Sequence, residues 1–277
     1  MAGWLEKSVN LIPWWMRDHI RKIPLLAWLQ RRFFARFLAG RHFDYQINAG
    51  PAKGLWMPIS LPTDKLIWTG TYEKVVGEKM GRLTPTQGVC LDIGSHRGYM
   101  AGIMALHGAA QVHCFEPMPD NITHLQRLQQ LNPELPLYVQ PYAMGNRQGD
   151  ARFAIMPESS MGKLSDSSFQ VEAAHVTEIN VAVRRVDDLV AEGVVMIPQL
   201  IKVDVEGAEL EVLAGAQQTI EQNRPIMVIE VHSSALAVEC QAWLQERGYR
   251  VEVLETGAVY DPTQPYRLCH LLGLPVS

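Results

Sequence analysis

A chain of 277 residues, 47% hydrophobic and with a formal net charge of −4, can bury one sizeable α/β core plus an appendage without a metal or disulfide staple. Its four cysteines, Cys90, Cys114, Cys240 and Cys269, form no C-x-x-C pair, which argues against a disulfide framework and for reduced thiols in a cytoplasmic setting. No apolar run reaches the roughly 18 residues of a membrane span, no cleavable signal pattern opens the chain, and no repeat or low-complexity tract is visible.

Residues 1–41 stand apart. Lys7, Arg17, Arg21, Lys22, Arg31, Arg32, Arg36 and Arg41 face only Glu6 and Asp18, so the rest of the chain is acidic. Trp4, Trp14, Trp15 and Trp28 fall in the same stretch, and Leu25, Leu26, Leu29, Phe33 and Phe37 recur at helical spacing. A basic, Trp-rich helical arm over residues 1–44 is expected, either capping the domain or a partner subunit, or resting on a membrane surface through residues 1–41. No nucleic-acid partner is expected.

From residue 45 a hairpin-like stretch, broken by Gly50-Pro51 and Gly54, runs to residue 59, and a helix follows over 70–83. The apolar run 89–93 contains Asp92 and breaks into Gly94-Ser95-His96-Arg97-Gly98, after which residues 99–107 have a helical pattern. A second apolar run, 112–115, ends on Glu116. That is the distance at which an acidic residue reaches a ribose when a nucleotide sits on the first turn. A dinucleotide fingerprint would require glycines at 94, 96 and 99, but His96 and Tyr99 occupy the last two positions, so NAD is disfavoured. The remaining D-x-G-x-x-x-G spacing suits a compact cofactor such as S-adenosylmethionine.

Strands and helices then alternate: a helix over 120–131, a strand over 137–140, and β-like runs at 152–155 and 178–186 that make residues 151–186 a β-rich insertion around a polar loop. A strand over 200–205, a helix over 208–222, a strand over 226–231, a helix over 234–247, a strand over 249–255 and an apolar run over 267–272 complete a mainly parallel, doubly wound α/β sheet. In LIKVDVEGAELEVLAGA, period-two alternation places Lys202, Asp204 and Glu206 on one side, and Glu230 and His232 end the next strand at the same sheet edge. Asp204 and Glu206 could cap the following helix with Lys202 as a partner; the convergence of strand ends instead favours a reaction site. A divalent cation on Asp204, Glu206, Glu230 and His232 is the other reading, not favoured, because spacing across strands cannot show that the ligands converge, and no metal ligand is assigned.

The series DIGSHRGYM, FEPMPDN, AMGNRQGD, VRRVDDL, LIKVDVEGAELEVLAGA and RPIMVIEVH resembles the FkbM family of S-adenosylmethionine-dependent methyltransferases over roughly residues 45–255. The resemblance implies a class I Rossmann-like methyltransferase domain over 45–277, S-adenosyl-L-methionine as cofactor, and O-methylation of a hydroxyl on a sugar, glycan or secondary metabolite. It places Asp92, Gly94, Ser95 and Gly98 at the methionine end, Glu116 on the ribose, Ala143 along the adenine, Asp204 beside the cofactor, and Tyr72 and Glu73 at the entrance of the pocket. Ser95-His96 departs from the family's usual Ala-Asn, and His96 is read as a turn residue. Asp204 is the expected acceptor-positioning or proton-removing group, with Glu206, Glu230 and His232 as helpers, His232 having an unperturbed pKa suited to a base near neutrality. Two other readings remain: a cofactor-binding partner protein without catalysis, against which the intact IKVDVEGAE run argues, and a nucleotide-sugar or NAD enzyme.

Overall fold

The computed structural model describes residues 40–155, 162–164 and 177–276, and the chain divides into two compact units, residues 1–72 and 73–277. The arm expected over residues 1–44 lies, up to residue 39, outside the described residues. Its expected end is corrected, because residues 41–44 already belong to β1 (Arg41–Gln46).

In the first unit, β1 pairs antiparallel with β2 (Trp56–Leu61), the hairpin expected from the Gly-Pro turn. Met57, Ile59 and Leu61 alternate into its buried side. Trp68, the last residue of the short helix α1 (Lys65–Trp68), meets Tyr45 edge-on with ring centroids 6.2 Å apart.

The second unit begins with α2 (Lys74–Leu83), four residues later than the sequence suggested, because Glu73 adopts a left-handed φ of 40° and turns the chain into the helix. In chain order follow β3 (Val89–Ile93), α3 (Tyr99–Leu106), β4 (Gln111–Phe115), α4 (Pro119–Leu131) and β5 (Leu137–Gln140). Next come β6 (Ala143–Met144), β7 (Gly149–Ile155), β8 (Gly162–Leu164) and β9 (Thr177–Arg184). The chain then runs through α5 (Val186–Ala191), β10 (Leu200–Val203), α6 (Glu209–Gly215), α7 (Gln217–Asn223), β11 (Ile226–Val231), α8 (Ser234–Glu246), β12 (Tyr249–Val253) and β13 (Cys269–Pro275).

Seven strands form one sheet in the order β12-β13-β11-β10-β3-β4-β5, with β13 antiparallel to both of its neighbours and the other pairings parallel. A second sheet, β6-β9-β7-β8, draws its strands from residues 143–184, a span that begins before the expected insertion at 151–186. On one face of the main sheet Leu91, Ile93, Ile201, Val203, Ile229 and Val231 share an apolar cluster with residues of α5, α6, α7 and α8. Each such fully buried aliphatic side chain contributes about 1.5–3 kcal/mol. Strand alternation then turns Asp92, Lys202 and Glu230 to the other face, and they are buried there as well.

The helix expected over 208–222 is two helices. Gly215 passes so close to the Gly145 carbonyl that a Cβ would lie 1.9 Å from its oxygen. Asp187 then supplies a new N-terminal partner, accepting from the Thr219 N–H and hydroxyl at 2.8 Å each and from the Gln218 N–H at 3.1 Å. All four cysteines are buried and free, and burial, followed by the Asp92 charge, raises the Cys90 thiol to about 12. No described helix is long and apolar enough to cross a membrane.

Candidate functional site

The β3–α3 turn is held by its glycines. Gly94, at φ +76°, passes the Asp204 carbonyl so closely that a Cβ would sit 1.7 Å from its oxygen. Any other residue would push β10 away from β3. The Gly94 and Ser95 N–H groups donate to the Phe115 carbonyl at 3.0 Å each, and the Ser95 hydroxyl donates to the Asp92 carbonyl at 2.6 Å. His96 takes a left-handed φ of 50°, which aims its N–H at Glu116 Oε2, 2.9 Å away. The Met118 N–H donates to Glu116 Oε1, also at 2.9 Å. Burial raises the Glu116 carboxyl to about 7 against the pull of the Met118 N–H, the Asn121 side chain and the His96 N–H. His96 thus serves the turn, as expected, through its backbone.

Just beyond Glu116, Met118 packs with Ala143, Phe153, Val181 and Val183 in an apolar cluster that joins β6 to the insertion. Tyr72 closes the first unit and Glu73 opens the second, so this expected pair straddles the boundary. Within the second unit, burial and then the Glu73 charge push up the hydroxyl of Tyr99, the first residue of α3.

Lys202 links the β3–α3 turn to β10. The parallel register puts it directly opposite Asp92, and its Nζ lies 3.2 Å from Asp92 Oδ1, 3.4 Å from Asp204 Oδ2 and 3.2 Å from the Gly94 carbonyl. Burial would discharge the amine, but Asp92, Asp204 and Glu230 more than offset it and keep it charged. Burial works against the Asp204 carboxylate too, yet Lys202, His232 and His270 hold its pKa below the usual range. Neither Asp204 nor Glu206 caps α6; the free N–H of Gly207 is taken by Glu209 Oε1 at 3.1 Å.

Three expected residues, Asp204, Glu206 and Glu230, come together at the fourth, His232. Its Nε2 is 3.4 Å from Glu206, 3.6 Å from Asp204 and 3.7 Å from Glu230, while its Nδ1 is 2.8 Å from Glu209. Burial disfavours the imidazolium, but the Glu209 hydrogen bond and the Glu206 and Asp204 carboxylates raise its pKa to about 9. His232 is thus held above its ordinary range, so the unperturbed pKa that suggested a base near neutrality does not describe it in this fold. Burial, and then the neighbouring carboxylates, leave Glu206 with a raised pKa although His232 pulls it down. Among the described residues, Asp204, Glu230 and His232 present donor atoms within 4.8 Å of one another and could in principle be a metal donor set.

Sequence reasoning passed over Glu209, His270 and Glu255. Glu209 lies in the same EGAE run as Glu206 and is fully buried, which a helix-facing count of α6 could have flagged. His270 interrupts an apolar strand, LCHLLG, and that interruption was its only signal.

The description "Methyltransferase FkbM domain" matches residues 92–251, more than half of the chain. The hexuronic acid methyltransferase AglP of Haloferax volcanii is 31% identical over 169 residues, covering 60% of this chain and 64% of that protein. The 2-O-methyltransferase NoeI of Sinorhizobium fredii is 29% identical over 150 residues, covering 49% of this chain and 60% of that protein. The matched part of this chain thus spans less than two thirds of the length of either relative. A crystal structure of an FkbM methyltransferase from Methylobacillus flagellatus aligns at 19% identity and a TM-score of 0.47, covering 67% of this chain and 43% of that one.

Proposed function

The chain belongs to the FkbM methyltransferase family, with the class I Rossmann-like sheet, and from that premise we propose that it transfers a methyl group from S-adenosylmethionine to a hydroxyl of a sugar or glycan. The acceptor class is supported by the relatives, one acting on a hexuronic acid and the other a 2-O-methyltransferase. The observation that carries the reading is the Lys202 bridge: one buried cation fastens the glycine turn of the cofactor half to Asp204 of the acceptor half.

The residues present fit the cofactor. Glu116, already aimed by two backbone N–H groups, keeps lone pairs for the ribose hydroxyls, and the apolar cluster of Met118 and Ala143 suits a flat adenine. Asp92, Gly94, Ser95 and Gly98 would take the methionine end. S-adenosylmethionine, when bound, would supply an electrophilic sulfonium methyl group with a neutral thioether as its leaving group. Asp204 aligns the acceptor hydroxyl and takes its proton, and Glu206, partly exposed and with a raised pKa, can hold that proton before it passes to water. His232 remains an imidazolium that keeps four carboxylates from repelling one another. No metal is required by this reading.

Calorimetry with S-adenosylmethionine, S-adenosylhomocysteine, NAD and a nucleotide sugar tests the cofactor class. Binding of the first two alone is expected, and binding of NAD or the nucleotide sugar in their place would overturn it. Localisation is proposed to be cytoplasmic, with residues 1–41 docking on an anionic membrane surface at about 1 kcal/mol per basic residue. Salt-sensitive co-sedimentation with anionic but not neutral vesicles is expected, and indifference to anionic vesicles removes the docking role.

A further inference from the structure

Glu230 takes a direct histidine partner from the antiparallel strand. His270 of β13 is its direct cross-strand partner, so both side chains stand on the same face of the sheet. His270 Nε2 lies 3.1 Å from Glu230 Oε2, and its Nδ1 lies 2.7 Å from Glu255 Oε1. The His270 backbone N–H also donates to both oxygens of Glu255, at 3.2 Å each, and the Leu254 N–H donates to the His270 carbonyl at 2.7 Å. His270 is therefore fixed from the ring and from the main chain, and it is only 5% exposed. Glu230 is left with one oxygen tied to His270 and the other, Oε1, turned toward His232 Nε2 at 3.7 Å.

We propose that His270 and Glu255 are positioning residues, a clamp that holds the Glu230 carboxylate in the one orientation that presents its second oxygen to the acceptor beside Asp204. The inference rests on the methyl-transfer reading above. A glutamate free to rotate about three side-chain bonds would offer that oxygen only part of the time, whereas the clamp fixes it in advance. His270 touches Glu230, and Glu255 holds His270 in turn, so the contacts of both lead to Glu230.

The test is a mutant cycle on the full chain, read as turnover with a sugar acceptor together with S-adenosylhomocysteine binding. His270→Gln is expected to lower kcat by about tenfold or more, with acceptor KM and S-adenosylhomocysteine Kd held within about threefold, and in a Glu230→Gln background the same change should add less than about twofold. Glu255→Gln, at a partly exposed position, should lower kcat in the same direction but by less, and it carries the test if His270→Gln does not fold. Turnover within twofold of wild type for both variants, or an equal loss from His270→Gln in both backgrounds, overturns the clamp. Wild-type protein that binds S-adenosylhomocysteine but methylates no sugar hydroxyl would break the functional reading instead. The clamp would then be judged by the Nε2–H proton resonance of His270: a shift on Glu230→Gln supports it, and an unmoved resonance overturns it.

Discussion

The two halves of the site are built from different materials. On the proposed cofactor side, Glu116 is held by the main-chain N–H groups of His96 and Met118, and the turn that presents them needs glycine where β10 passes. On the proposed acceptor side, the described partners of the His232 ring are side chains, with Glu209 on one nitrogen and Asp204, Glu206 and Glu230 around the other. A backbone-built site keeps its geometry when a side chain changes. A side-chain network shifts as a unit, because each charge is another's partner.

The largest expected effect falls on the network. Asp204→Asn should reduce kcat by about 10²–10⁴-fold while S-adenosylhomocysteine affinity stays within about tenfold, as measured by single-turnover kinetics and calorimetry. Equal losses in both would place Asp204 on the cofactor side and dissolve the comparison. Glu116→Ala should do the reverse, weakening S-adenosylhomocysteine by about 2–3 kcal/mol through lost charge-assisted hydrogen bonds to the ribose. Unchanged calorimetric affinity in that variant would remove Glu116 from the cofactor site.

The halves should also part company with pH. Glu116 has its pKa raised to about 7, and only its carboxylate form accepts from both ribose hydroxyls, so S-adenosylhomocysteine affinity should rise through pH 7, by about tenfold between pH 6 and 8. His232 gains its carboxylate partners only on folding. Its contribution to stability is therefore complete below about pH 6.5 and is lost as pH rises through about 9. Thermal unfolding from pH 6 to pH 10 should show that fall, shallower in His232→Gln; a mutant with the wild-type slope would mean that His232 is not the titrating group.

What could be read from the residues follows the same division. Asp92, Gly94, Gly98 and Glu116 were legible because a turn and two strand ends fix their spacing along the chain. The direction of Lys202 and Asp204 was legible from strand alternation. The clamp was not, because His270 and Glu230 become neighbours only when β13 inserts antiparallel between β11 and β12. The raised pKa of His232 was hidden for a related reason: it is set by Glu209 of α6 and by Glu206 and Asp204 of the loop after β10. The break between α6 and α7 depends on Asp187, some thirty residues earlier, whose bonds to Gln218 and Thr219 no local pattern announces.

Asp187 also supplies the smallest prediction, a control outside both halves. Asp187→Ala should cost about 1 kcal/mol of stability in denaturant unfolding through the lost α7 cap, leaving kcat and cofactor affinity unchanged. A change in either would mean that the two halves share a wall through α7.

The most direct measurement is mass spectrometry of a hexuronic acid acceptor after incubation with S-adenosylmethionine and wild-type or Asp204→Asn protein. A single methyl group gained on a hydroxyl with wild type, and lost with an Asp204→Asn protein that still binds S-adenosylhomocysteine, is the predicted result. Methylation undiminished in Asp204→Asn, or wild-type protein that binds the cofactor and leaves every sugar hydroxyl unmodified, would contradict it.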